Sequence, residues 1–335
     1  MSVLVKELCN LPAPSGFEDA VRDYIRERVS ADEIYTDSMG NLICHKKGNG
    51  KKVMVCAHMD EVGFIITEIT DKGFLKFSAL GGVETAVICS KKVLIGENKV
   101  PGIISAKAIH LQRRSEELIP LKYRDLCIDI GAKDKDRAKE LVSLGYFAVF
   151  DGEYTEFSEN LVKSKALDDR AGCAVLLELM KEDYDNDMYF VFTVQEEVGV
   201  RGATIATSRI KPDIALVLEG TTCSDVHGSK PHNQVTNLGG GAVMTAMDGA
   251  AISDKKYYEY IKKTAEEHNI PLQIKRTTRG GTDAGAIQRS GIGVKTAVLA
   301  VPCRYLHSPV SVAHKDDIES VYRLAKAVLK GGLDF

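Results

Sequence analysis

Five short motifs bring acids and histidines into view: His58-Met59-Asp60-Glu61, Leu167-Asp168-Asp169-Arg170, Gln195-Glu196-Glu197-Val198-Gly199, Leu218-Glu219-Gly220 and Leu306-His307-Ser308-Pro309. Strand-like apolar runs precede four of these sites: VMVCA at 53–57, MYFVFTV at 188–194, IALVL at 214–218 and AVLAV at 297–301. In an open α/β sheet the active site forms in the crevice outside the carboxyl ends of the strands. Histidines and carboxylates delivered there together form the donor set of a hydrolytic metal centre, in which a bound cation acidifies water and polarises a carbonyl.

Taken singly, each motif also has a plainer reading. His58 is either a ligand at a strand end, with Asp60 two residues on to orient its ring, or a polar strand terminus. Asp168-Asp169 is either a carboxylate for a metal or an ordinary pair of acids complementing a helix start. Glu196 and Glu197 point to opposite sides if the strand continues, so one can ligate while the other reaches a water. Alternatively the pair is solvated at the head of the next helix. Glu219, at the end of IALVL, needs a partner if buried. His307 lies in an irregular stretch between Pro302 and Pro309. No His-Glu-x-x-His spacing is present, which argues against that class of zinc protease. The remaining histidines lack such settings, although His227 and His232 flank a Gly/Pro loop that could border a pocket. Gly280-Gly281-Thr282-Asp283-Ala284-Gly285 is a glycine-rich turn into a helix without the Lys-Ser/Thr of a P-loop. It reads as the backbone wall of a substrate pocket, not a nucleotide site.

The elements that must position these residues suggest two folding units in 335 residues. A Ser15-Gly16-Phe17-Glu18 capping signature predicts a helix over about 18–29, and strands are expected at about 34–37, 41–46 and 53–57. From about 66 to 155 short β-like stretches alternate with turns, with one helix near 134–143, which reads as an inserted β-rich domain. The polar stretch 110–118 within it reads as a mobile loop. After 155 the α/β alternation returns, with helices expected at about 169–181, 201–209, 253–268, 283–290 and 315–330. The chain therefore divides into a catalytic α/β domain, 1–65 with 156–335, and an insert, 66–155.

Composition removes other classes. An apolar fraction of 44%, a charged fraction of 27% and a formal charge of −3 are those of an ordinary globular chain without a basic stripe, so neither nucleic acid nor membrane is an expected partner. The eight cysteines are scattered without a C-x-x-C pair, and the N-terminus lacks a secretory pattern, so a reduced, cytoplasmic protein is expected.

The motifs in order resemble those of the tetrahedral di-metal aminopeptidases, the family of glutamyl and deblocking aminopeptidases, some members of which carry a cellulase label. The likeness runs through Ala13-Pro14-Ser15-Gly16-x-Glu18, Asp37 to Asn41, His58-Met59-Asp60-Glu61-Val62-Gly63, Ile128-Asp129-Ile130-Gly131, Lys165 to Arg170, Glu196 to Gly199 and Arg304-Tyr305-x-His307-Ser308-Pro309. The resemblance implies an α/β mixed-sheet catalytic domain with a barrel-like dimerisation insert, and dimers assembling into a dodecamer. It implies two divalent ions, zinc or cobalt with manganese as a third option, bridged by Asp168. One ion would add His58 and Glu219, the other Glu197 and His307. Glu196 would be the general base, Asp60 would hold the His58 ring, and the Asp168–Asp169 peptide is a candidate cis bond. Many relatives carry Asp in place of Glu219. Thr282, Asp283 and Arg304 are the candidates for contacting substrate, with Arg279 a further cation.

The expected activity is metal-dependent removal of N-terminal residues from peptides. The alternatives are a di-metal carboxypeptidase or deacylase of the same superfamily and, less well supported, an endoglucanase. Against the last, Glu196 and Glu197 are sequence neighbours, whereas glycosidase carboxyls stand apart across a sugar, and the chain has no Trp to stack on one.

Overall fold

The computed structural model describes residues 1–111 and 120–334. Most of the polar stretch 110–118 therefore lies outside the described residues.

Four apolar runs form the centre of an eleven-stranded sheet. Asp187–Thr193, Lys52–His58, Ile214–Thr222 and Lys295–Arg304 lie side by side and parallel. All four therefore end at the same edge of the sheet, and that edge carries the acidic and histidine motifs. Alternate side chains are buried on the two faces, as a sheet covered on both sides requires. Val53, Val55 and Ala57 join one core, which includes the helices Leu167–Leu179 and Lys315–Lys330. Met54 and Cys56 join the other, beneath Arg201–Ile210 and Asp283–Gln288. Antiparallel strands extend the sheet outward, Leu42–Lys46 and Glu33–Thr36 on one side, and Ser311–His314, Leu161–Ser164 and Thr155–Phe157 on the other.

The chain leaves this sheet just after His58. It forms a closed six-stranded antiparallel barrel whose first strand is Gly63–Ile69 and whose last is Phe147–Phe150. The barrel has its own core, with Phe64 packed edge-on against Phe77 and Phe150. Among the described residues its one α-helix, Lys135–Leu141, starts at Asp134, whose side chain accepts from Arg137 N. Short elements escaped the sequence reading: the N-terminal helix Ser2–Cys9, the strands Ala242–Thr245 and Leu272–Ile274, and the edge strands Thr155–Phe157, Leu161–Ser164 and Ser311–His314.

The N-terminal segment is tied to the sheet by buried charge. Arg170 is fully buried. Its guanidinium donates to the carbonyls of Met59 (2.8 Å), Leu8 (2.6 Å), Leu11 (3.2 Å) and Ala13 (3.3 Å). Beside it, Lys165 Nζ lies 2.6 Å from Glu61 Oε1, which also accepts from Ala13 N at 3.0 Å. Removing the guanidinium would take a donor from each of these carbonyls, of which Leu8, Leu11 and Ala13 keep another in Leu11 N, Lys165 Nζ and Glu61 N, and would leave Glu61 short of one cation. Breaking such a buried arrangement costs about 3–5 kcal/mol. Arg170→Leu is therefore expected to lower the urea midpoint sharply at constant m-value; an unchanged midpoint would show that the guanidinium carries no stabilising role.

Candidate active site

The strand ends deliver the predicted residues to one cluster. His58 is the last residue of Lys52–His58. Glu219 lies in Ile214–Thr222, and Glu196 and Glu197 follow Asp187–Thr193 after two residues. Asp168 stands at the head of the helix Leu167–Leu179, where it and Asp169 depart from helical torsions across a cis peptide bond. His307 comes from the turn between the strands Lys295–Arg304 and Ser311–His314, with φ +55°.

Asp168 lies between the two histidines. His58 Nε2 is 3.3 Å from Asp168 Oδ1 and 3.1 Å from Glu219 Oε1. His307 Nε2 is 3.6 Å from Asp168 Oδ2 and 3.3 Å from Glu197 Oε1. Two donor triplets result, His58–Asp168–Glu219 and Asp168–Glu197–His307, each with ligand atoms within 4.8 Å of one another.

The far nitrogen of each ring is engaged by backbone: His58 Nδ1 lies 3.0 Å from the Asp60 carbonyl and His307 Nδ1 3.1 Å from that of Gly82. A carbonyl only accepts, so each Nδ1 carries the proton. In the neutral ring Nε2 then presents a lone pair to carboxylate oxygens, a repulsive contact that a cation between them turns attractive. Glu219 Oε2 is buried without a hydrogen-bond partner among the described residues. A Cβ on Gly220 would stand 2.7 Å from Asp168 Oδ1, so only glycine lets this strand approach the Asp168 carboxylate. Orphaned acceptor, imidazole nitrogens facing carboxylate oxygens and close backbone approach all fit a pair of cations sharing Asp168.

The charges record the same demand. Burial works against a protonated His307, but hydrogen bonds to Asp168 and Glu197 push it up to about 11. Burial alone would raise Asp168; its bonds to His307 and His58 bring it well below the usual range. Burial, with the charges of Asp283 and Glu197, holds Glu196 well above the usual carboxyl range.

Asp60 is fully buried and serves more than one segment. Its Oδ1 stands 3.5 Å from His58 Nδ1, and it accepts from Glu196 N (3.0 Å), Glu197 N (3.1 Å) and Ser15 Oγ (2.6 Å). The Ser15–Glu18 signature is therefore not a capping box. The helix begins at Asp19 without a side-chain cap, while Ser15 turns to Asp60 and Glu18 accepts from Gln195 N at 3.1 Å. A cap and a brace share the same local spacing, so only the fold distinguishes them.

Asp168, Glu196, Glu197, Glu219 and His307 line a cavity of about 910 Å³. Lys275, Arg276, Arg279 and Thr282 also line it, and His232 does whereas His227 does not. The other two residues expected at the substrate stand back. Asp283 is buried behind the wall and accepts from Thr193 Oγ1 at 2.6 Å. Arg304 is committed to Asp225 through two bonds of 2.7 Å and does not line the cavity. Another cavity, about 730 Å³, lies around the strand starts near Ile214 and Lys295, away from this cluster.

Comparison with known proteins agrees with this geometry. The family profile described as M42 glutamyl aminopeptidase matches residues 40–324. An Acetivibrio thermocellus protein provisionally designated an aminopeptidase is 39% identical over 325 residues, 96% of each chain. An aminopeptidase from the archaeon Desulfurococcus kamchatkensis superposes with a TM-score of 0.94 at 36% identity, covering 98% of this chain and 94% of that one. The Pyrococcus horikoshii TET1 peptidase, which can assemble into a tetrahedron or a large octahedral shell, superposes at 0.88 with 33% identity over 98% of both chains. With its strand-end cluster and inserted barrel, the chain belongs to the M42 peptidase family.

Proposed function

We propose that this peptidase releases N-terminal residues from peptides, using two divalent cations held at the strand ends and Glu196 as general base. The observation that carries the reading is the pair of donor triplets sharing Asp168, with each Nε2 aimed at carboxylate oxygen. His58 and Glu219 would complete one subsite, Glu197 and His307 the other. Two imidazoles and three carboxylates suit zinc, cobalt or manganese. The chemistry such ions supply is acidification of a water and polarisation of the scissile carbonyl.

The protein's own groups do the rest. Glu196 takes a proton from the attacking water and returns it to the departing amine, and its raised carboxyl pKa suits that exchange. Asp60 fixes the Glu196 and Glu197 backbone, and stands beside the His58 ring that the Asp60 carbonyl orients. Thr282 and Arg279 border the space left for substrate. The barrel is assigned to pairing between copies of the chain, which build a dodecamer. This is supported by the closed shells of the Pyrococcus horikoshii relative and by the exposed Ile103, Leu144 and Tyr146 on the insert. A cytoplasmic location is supported by eight unpaired cysteines. Among the described residues no helix is long and apolar enough to cross a membrane.

Glu196→Gln is expected to bind metal as wild type does while turnover of aminoacyl-p-nitroanilides falls by about 100-fold or more. Substantial turnover in the metal-replete variant sinks the assignment of the base. Metal titration with elemental analysis tests the ligand sets separately. His307→Ala should retain one equivalent and Asp168→Asn should lose tight binding of both; two equivalents retained by Asp168→Asn would rule out a shared carboxylate.

A further inference from the structure

The turn that carries Glu196 and Glu197 is held in an unusual way. Past the strand Asp187–Thr193, four consecutive backbone N–H groups donate to side chains and not to a neighbouring strand. Val194 N donates to Asn41 Oδ1 (3.0 Å) and Gln195 N to Glu18 Oε1 (3.1 Å). Glu196 N donates to Asp60 Oδ1 (3.0 Å) and Glu197 N to Asp60 Oδ2 (3.1 Å). All three acceptors are buried, and they come from three separate segments.

Within this row the bond to Gln195 holds the bend itself. Gln195 sits at φ +55°, a left-handed conformation that costs a non-glycine residue about 1–2 kcal/mol. That torsion turns the chain out of the strand and sets where Glu196 points. Its N–H is secured by Glu18, whose Oε1 also accepts from Gly16 N at 2.8 Å. The next segment is joined as well, because Ser15 Oγ donates to Asp60. Burial pushes the Glu18 carboxyl up to about 7, so an acid is kept here at a desolvation cost for its reach to backbone donors.

We infer that Glu18 is a positioning residue for catalysis: its acceptor oxygen fixes the Gln195 N–H and thereby the direction in which the Glu196 carboxylate enters the cavity. The inference rests on the proposed role of Glu196 as base. Glu18 neither lines the cavity nor belongs to either donor triplet, so its effect on rate passes through the turn.

Two variants separate reach from charge. Glu18→Gln keeps an acceptor oxygen at the same distance and loses the charge, whereas Glu18→Asp keeps the charge and withdraws the oxygen by one methylene. On aminoacyl-p-nitroanilides, E18Q is expected to retain a near wild-type kcat. E18D should lose about 100-fold in kcat, the scale on which a small misplacement of a reacting group acts, with KM little changed. Metal equivalents should match wild type in both, while E18D should unfold at a lower midpoint than E18Q because it leaves the Gln195 N–H without its acceptor. Slow turnover in E18Q, full turnover in E18D, or a loss in E18D that tracks loss of metal would each overturn the inference. Wild-type hydrolysis abolished by Glu196→Gln would leave the base assignment standing in any of those cases.

Discussion

A single buried carboxylate, that of Asp60, is the constraint on which the site depends. An ionised group without solvent must be surrounded by donors, and Asp60 draws them from separate parts of the chain: Ser15 Oγ and the Glu196 and Glu197 N–H groups. Two residues before it, His58 donates to the Asp60 carbonyl, so the same residue orients a ring through its backbone and a turn through its side chain. His58 and the paired glutamates therefore cannot shift independently. Preorganisation of this kind lets a site stabilise developing charge without moving at the moment of reaction.

The parallel centre of the sheet supplies the second half of the arrangement. Its registers place His58 opposite Thr193, while Glu219 pairs with Ala300 on the adjacent strand. The crevice at the carboxyl ends is thus filled from successive strands, with Asp168 introduced from a helix start on one side and His307 from a turn on the other. The buried Glu61–Lys165–Arg170 group holds the N-terminal segment against the same edge, which is what brings Ser15 and Glu18 within reach of the Glu196–Glu197 turn.

Much of this was legible in the chain. Long apolar runs such as VMVCA and IALVL announce strands buried on both faces, and the motifs after them mark the edge where ligands gather. The small barrel is visible as a change of texture, since its short strands lack the α/β alternation on either side. What escaped has specific causes. Ser2–Cys9 is short, and the strands at 242–245 and 272–274 run only four and three residues, too few for a periodicity to register. Ser15 and Glu18 carry a helix-cap spacing yet serve a turn about 180 residues away, a long-range pairing that local sequence does not encode. Arg304 looked available to substrate until Asp225, distant in sequence, proved to occupy its guanidinium. The resemblance to a known family points to the candidate ligands, whereas the reason for the Asp37–Asn41 motif lies in contacts that local sequence does not show. Asp37 accepts from Asn41 Nδ2, and Asn41 Oδ1 in turn takes the Val194 N–H.

The carbonyl that fixes the tautomer of His307 belongs to Gly82, just beyond the barrel strand Leu75–Leu80. The preceding glycine lies against Glu197 as well: a Cβ on Gly81 would meet the Glu197 Cβ at 3.2 Å. The inserted module thus touches two of the three residues of one donor triplet while supplying none, so the α/β part holds every donor but not every contact that orients them. Cutting the barrel out and rejoining the chain at its two ends would keep every residue of both donor triplets in the sequence yet remove the carbonyl that orients His307. Modular in its hydrophobic cores, the molecule is indivisible at its chemistry.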